Sequence, residues 1–205
     1  MSILITGFGP YEKYKMNPAQ LIARELDGKE ILGVKIVGKE VPVSFKRVIK
    51  IIPEYIKEIR PRVFLGLGLA CGRPNITLER VAINIMDATK PDNDGYKPED
   101  EPILPNGPAA YFATLPLKRI LKVLRKNGIP AMISNSAGTF VCNTLMYVAL
   151  HTVNELKLDC PTGFIHVPCM PEQVVDKPQP SMSFGIMVKA IRMVVEEALK
   201  YEVSK

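Results

Sequence analysis

The chain has 205 residues, 47% hydrophobic and 23% charged, with a formal net charge of +6. That length supports one sizeable core and is short for two domains, and no apolar run approaches the ~18 residues needed to span a bilayer. Lysines and arginines are interspersed with glutamates, as in Lys118-Arg119, Lys122 and Arg125-Lys126; no basic block is interleaved with aromatics, which argues against nucleic-acid binding.

The opening Met1-Ser2-Ile3-Leu4-Ile5-Thr6-Gly7 lacks a basic leader, so no signal peptide and a cytoplasmic location are expected. Absence of Trp with many Pro and Lys residues hints at a heat-stable protein. The four cysteines, Cys71, Cys142, Cys160 and Cys169, form no C-x-x-C pair and no zinc spacing. His166 and Cys169 supply at most half a metal site, so no metal is expected. A disulfide framework is not expected in a cytoplasmic chain of this length.

Ile3-Leu4-Ile5 reads as a buried strand ending at Gly7-Phe8-Gly9-Pro10, and Asn17-Pro18 opens a helix through about Leu26. Val34 to Val43 reads as a second strand. Phe45 to Ile59 has the apolar spacing of a helix, which Pro53 should kink or restart. Val63-Phe64-Leu65 is a strand emptying into Gly66-Leu67-Gly68-Leu69-Ala70-Cys71-Gly72. That run resembles a dinucleotide loop, but strand-like residues follow it where the fingerprint requires a helix.

Ile76 to Ile85 is predicted as one strand whose alternation puts Glu79 on the face of Val81, Ile83 and Ile85. A carboxylate on an apolar face needs a cationic or hydrogen-bonding partner. Met86 to Pro108 is polar and carries five prolines, the pattern of a long irregular loop within one domain spanning residues 1–205. Leu117 to Lys126 reads as a helix stopped by Asn127-Gly128. A strand at Ala131-Met132-Ile133-Ser134 turns through Ser136-Ala137-Gly138 into a helix from about Asn143. Phe164-Ile165-His166-Val167-Pro168 is a last strand, and Pro180 to Tyr201 a last helix. Strands alternating with helices predict an α/β fold with a mainly parallel, twisted sheet covered on both faces.

Cys142 is expected at the joint of coil and helix, where unpaired amides and the helix dipole favour thiolate. His151 lies too far along that helix to serve it. His166, at a strand's C-terminal end, faces the crevice where open α/β sheets bind ligands. A Cys142–His166 pair needs a third group to orient the imidazole. Glu79 fits first, with Asp87 and Asp159 as substitutes.

Several separated segments resemble one family in the same order. Ser134-Asn135-Ser136-Ala137-Gly138-Thr139-Phe140-Val141-Cys142-Asn143 is similar to the nucleophile segment of pyroglutamyl-peptidase I. Gly163-Phe164-Ile165-His166-Val167-Pro168 is similar to its histidine segment, and Glu79-Arg80-Val81-Ala82-Ile83-Asn84 to its glutamate segment. Thr6-Gly7-Phe8-Gly9-Pro10, Asn17-Pro18, Pro91-Asp92-Asn93, Tyr111-Phe112-Ala113-Thr114-Leu115-Pro116 and Pro180-Ser181-Met182-Ser183 match as well.

The resemblance implies a single-domain three-layer α/β/α sandwich, a cytoplasmic homotetramer and no cofactor, nucleic-acid or membrane partner. It implies a cysteine omega-peptidase that removes an N-terminal 5-oxoproline from peptides through a thioester. Cys142 would be the nucleophile, His166 the base and acid, and Glu79 the residue orienting His166. Phe8, Tyr11, Phe140 and Val141 would line a slot for the lactam ring. Asn17 would donate to the lactam carbonyl, and the backbone carbonyl near Leu69 would accept the lactam N–H. The competing readings are a nucleoside-phosphorylase-like transferase and a non-catalytic binding protein on the same fold. The chain departs from the family at Tyr11-Glu12-Lys13, where Phe-Gly-Gly is usual, and at Thr89-Lys90, where Arg-Ile is usual. Cys71 and Cys169 flank the expected site.

Overall fold

A computed structural model describes residues 2–12 and 15–202. Seven strands form one sheet: β1 (Ser2–Phe8), β2 (Glu30–Ile31), β3 (Val34–Val41), β4 (Val63–Leu69), β5 (Ile76–Glu79), β8 (Ala131–Ser134) and β9 (Thr162–Val167). Their order is β2-β3-β1-β4-β9-β5-β8. Four pairings are parallel, while β2·β3 and β5·β9 are antiparallel. A separate ribbon pairs β6 (Val81–Ile83) with β7 (Ala110–Phe112). The helices are α1 (Pro18–Leu26), α2 (Phe45–Ile59), α3 (Leu117–Lys126), α4 (Val141–Glu155) and α5 (Phe184–Glu202).

The alternating sides of the strands feed two cores, which makes the expected three layers. Ile3, Ile5, Leu65, Leu67, Ile165 and Val167 pack with α1, α3 and α5. Leu4, Phe8, Phe64 and Phe164 pack with α2 and α4 on the opposite face. No helix among the described residues is long and apolar enough to cross a membrane.

Four local expectations change. Pro53 does not restart the second helix: α2 runs unbroken through it. Val48, Ile52 and Ile56 are buried along one side of α2, and that packing outweighs the single backbone hydrogen bond a proline removes. The stretch 76–85 breaks at Arg80, where the chain leaves the main sheet for the ribbon, so Glu79 and Val81 belong to different sheets. Gly66 to Leu69 continue β4 instead of forming a loop. The last helix starts at Phe184 rather than Pro180, because the preceding segment is held extended by Met182 N–H donating to the Cys169 carbonyl at 2.9 Å.

Candidate active site

Strand alternation sets out the site before any side chain is considered. On β9, Phe164 and His166 point to the α2/α4 layer; on β4, Gly66 and Gly68 share that face. The β5·β9 register opposes Thr77 to His166 and Glu79 to Phe164, so Glu79 emerges on the same face. Helix α4 then crosses above.

The two β4 glycines are what allow that approach. A Cβ on Gly66 would lie 2.6 Å from Phe164 Cδ2 and 2.7 Å from Leu145 Cδ2. On Gly68 it would lie 2.8 Å from Phe164 Cζ and 3.0 Å from Cys142 Sγ. Gly68 is the register partner of His166. The sulfur therefore rests over β4 at the register position that neighbours His166 on β9.

Helix α4 begins at Val141, two residues before the expected start, with Phe140 as an extended N-cap that offers no side-chain bond. Cys142 lies within the first turn rather than ahead of it, among amides that lack intrahelical acceptors. Asn143 does not cap the helix. It is fully buried; its Oδ1 accepts from Ile83 N–H at 2.9 Å, and its Nδ2 donates to the Ile83 and Ile85 carbonyls at 2.9 and 3.0 Å. This residue bolts the helix start to the ribbon segment that follows Glu79.

Glu79 is fully buried, and it has the partners its position demands. His166 Nδ1 lies 2.8 Å from Oε1, and Arg73 Nη1 donates to that same oxygen at 2.8 Å. A carboxylate only accepts, so Nδ1 carries the hydrogen of a neutral ring and the lone pair falls on Nε2. Burial opposes ionisation of Glu79, but the hydrogen bond from His166, with that from Arg73, holds its carboxyl below the usual range. Ser134 donates its own hydrogen to the Ser136 carbonyl at 3.0 Å, and Oε2 is left without a hydrogen bond. Arg73 went unrecognised in the sequence; its signal was the unmatched charge of Glu79, six residues later.

The expected easy ionisation of Cys142 is reversed. Burial, followed by the negative charge of Glu79, pushes its thiol up to about 12, against opposition from Arg73 and the backbone N–H. The helix start is too weak to overcome removal from water. A resting thiol, rather than a preformed thiolate, borders a cavity at the start of α4.

Beside the thiol lies a cavity of about 210 Å³. Phe8, Tyr11, Asn17, Leu69, Phe140 and Val141 line it together with Cys142. Glu12 and Cys71, both placed near the site by the sequence, line it too, as does Val43, which the sequence did not disclose. The volume falls below the ~300–1,000 Å³ of ordinary small-molecule sites. It admits one ring and little more. Asn17 Oδ1 accepts from Ala19 N–H and its Nδ2 donates to the Gly9 carbonyl, both at 3.0 Å. An amide nitrogen carries two hydrogens, so a second N–H remains for a ligand.

The other candidates fall elsewhere. His151 Nδ1 pairs with the Tyr111 hydroxyl at 2.9 Å. Asp87 and Asp159 line two separate surface cavities. Among the described residues, no cluster of His, Cys, Asp or Glu is gathered to hold a metal.

The family model described as pyroglutamyl peptidase matches residues 1–201. The chain belongs to the pyroglutamyl peptidase family. A pyrrolidone-carboxylate peptidase of Thermococcus onnurineus is 50% identical over 98% of this chain and 100% of its own length. One from Pyrococcus furiosus is 44% identical over 98% of this chain and 99% of its own. A solved structure of a mutant pyrrolidone carboxyl peptidase from the hyperthermophile Pyrococcus furiosus superposes with a TM-score of 0.96 at 43% identity, covering 98% of this chain and 100% of that one.

Against the usual pattern of pyroglutamyl peptidases, the two departures meet each other. Lys90 Nζ lies 2.9 Å from Glu12 Oε1, and the Tyr11 hydroxyl donates to the Pro91 carbonyl at 2.8 Å. The pocket wall is thereby tied to the irregular segment by contacts that Phe-Gly at positions 11 and 12 could not make. Lys13, the third residue of the first departure, lies outside the described residues. Cys71 and Cys169 form a disulfide, with Cα atoms 4.9 Å apart, contrary to the expectation drawn from chain length and expected compartment. The reason is register. Leu69 pairs with Val167, and Ala70 N–H donates to the Val167 carbonyl at 2.9 Å. Two residues on, the parallel exits bring the two cysteines level.

Proposed function

We propose that this cysteine-type hydrolase of the pyroglutamyl peptidase family cleaves the bond after an N-terminal 5-oxoproline, with Cys142 as nucleophile, His166 as base and acid, and Glu79 orienting His166. The observation that carries the assignment is the buried Glu79 Oε1–His166 Nδ1 contact of 2.8 Å beside the Cys142 cavity. With the thiol pushed up to about 12, Nε2 takes the Sγ–H proton as sulfur attacks the pyroglutamyl carbonyl carbon. The Cys142 amide, in the unpaired first turn, is the oxyanion donor. The imidazolium returns its proton to the departing amine. Water, deprotonated by His166, then hydrolyses the thioester and frees the thiol and pyroglutamate.

The cavity chemistry fits a flat, uncharged lactam. Phe8, Tyr11, Phe140 and Val141 supply the apolar slot, the spare Asn17 N–H meets the lactam carbonyl, and the backbone around Leu69 receives the lactam N–H. A cytoplasmic homotetramer acting without a cofactor is the form the family likeness supports; light scattering after size exclusion measures the assembly. Neither a transferase nor a binding-only reading is favoured by any feature of the site. Hydrolysis of a pyroglutamyl anilide by the wild-type chain, lost in Cys142→Ser, is the expected result. Equal rates for the two proteins refute the nucleophile.

A further inference from the structure

Glu79 Oε1 accepts from two side chains, although a histidine-orienting carboxylate needs only one. Arg73 reaches it from the loop between β4 and β5, at the same 2.8 Å as His166. Its side chain is 38% exposed, whereas Glu79 is wholly buried. The loop is short and doubly fixed. Arg73 N–H donates to the Ala70 carbonyl at 3.1 Å, and Cys71, two residues before Arg73, is bonded to Cys169 beyond the end of β9. Cys71 also forms part of the cavity wall.

We propose that Arg73 is a positioning residue that tempers the pull of Glu79 on His166, and that the Cys71–Cys169 disulfide is the latch holding Arg73 there. The proposal rests on the peptidase reading above. A carboxylate oxygen shared with a guanidinium presents less negative charge to the imidazole, which can then return its proton to the leaving amine. The fixed fork of the guanidinium also restrains Glu79, whose other oxygen has no hydrogen bond. The groups facing the pair are Arg73 from the β4–β5 loop, the Cys142 thiol from α4 and the Ser134 hydroxyl from β8. Across the cavity, Tyr11 and Glu12 follow β1, with Lys90 beside Glu12. Arg73 is the permanent cation in direct contact with the carboxylate.

The latch opens by ordinary exchange. A dithiol reductant donates two electrons and two protons to the Cys71–Cys169 bond, leaving two thiols and its own cyclic disulfide. The loop is then held by its ends on β4 and β5 and by backbone hydrogen bonds, without the covalent tie to β9, and Arg73 spends less time on Glu79.

The test is the pH dependence of kcat/KM for a pyroglutamyl anilide in the wild type, Arg73→Met, Arg73→Lys and Cys71→Ser/Cys169→Ser. In Arg73→Met, the acid limb moves to higher pH by roughly half a unit to one unit, discounted for the exposure of Arg73. Below the limb, that is a roughly three- to tenfold loss of kcat/KM. Arg73→Lys keeps the charge and returns most of the shift. The double serine variant, and the wild type treated with dithiol, shift less but in the same direction. Dithiol leaves the serine variant unchanged. Alkylation of the unfolded wild-type chain counts two thiols before reduction, Cys142 and Cys160, and four after. Proton NMR of the His166 ring, resolved from that of His151, follows the same titration without turnover. An inactive wild-type protein defeats the peptidase reading. An active one whose limb and ring titration stay fixed in every variant defeats this proposal alone.

Discussion

Gly68 offers the sharpest test of how the sheet admits the thiol. Its alanine variant adds one methyl group that meets Phe164 Cζ at 2.8 Å and Cys142 Sγ at 3.0 Å. Carbon contacts are comfortable at ~3.5–4.0 Å, so about 0.5–1 Å of displacement must be found. Neither neighbour yields freely. Phe164 is fully buried, and its ring centroid is 5.0 Å from that of His166, so moving one ring disturbs the other. Cys142 is held in the first turn of α4, next to the Asn143 bolt. Overpacking of this kind costs about 1–3 kcal/mol of stability. A misplacement approaching ~1 Å between reacting groups costs about a hundredfold in rate, so kcat should fall by roughly ten- to a hundredfold.

Gly66→Ala is the control. Its methyl group meets Phe164 and Leu145 at shorter distances, but no sulfur. Both variants should unfold at lower denaturant concentration than the wild type, Gly66→Ala at least as early. Both displace the Phe164 ring, but only Gly68→Ala also displaces the sulfur. It should therefore lose several-fold more of its single-turnover acylation rate on a pyroglutamyl anilide than Gly66→Ala does. A folded Gly68→Ala protein that acylates at the wild-type rate refutes the claim that this glycine sets the position of the sulfur.

Other consequences are equally concrete. Asn143→Ala strands one N–H and two carbonyls in a buried setting, and urea denaturation should show a loss of about 3 kcal/mol or more. The resting thiol, pushed up to about 12, predicts no thiolate absorbance step at 240 nm below pH 9 when the wild type is compared with Cys142→Ser; a step below pH 7 contradicts a neutral resting thiol. Glu79 is depressed from an ordinary value of 4.5, so its ionised form stabilises the fold above that pH and the benefit is lost as pH falls through its lower folded value. The stability advantage of the wild type over Glu79→Gln should therefore be full at neutral pH and shrink below about pH 4.5; an advantage that grows with acid reverses the assigned sign.

Much of the fold was legible because apolar periodicity is local. Asn17-Pro18 marked α1, Asn127-Gly128 marked the end of α3, and the alternating runs marked β1, β3 and β9. The errors came where packing against a distant segment overrides a local signal. Gly66 and Gly68 look like a loop in sequence and are strand residues, because α4 and Phe164 need the space a side chain would occupy. Arg80 looks like a position inside one long strand, yet two sheets part company there. The cavity residues were legible only by resemblance; Phe8 and Val141 read locally as core, and both are in fact almost wholly buried.

The electrostatic error has the same origin. From the sequence, Cys142 is a thiol at a helix start, and every local influence on it favours the anion. Folding brings a carboxylate from β5 toward the same sulfur and removes water, and those two long-range effects reverse the sign. What makes the site workable is that the carboxylate is not left to act alone. Glu79 and His166 are separated by 87 residues in sequence, and Arg73 arrives from a third segment to divide the same oxygen. The negative charge that makes the thiol hard to ionise is thus the charge that steadies the imidazolium once the proton has moved. A site built this way keeps its nucleophile neutral until a carbonyl is beside it, and spends its buried carboxylate on the charge-separated state that follows.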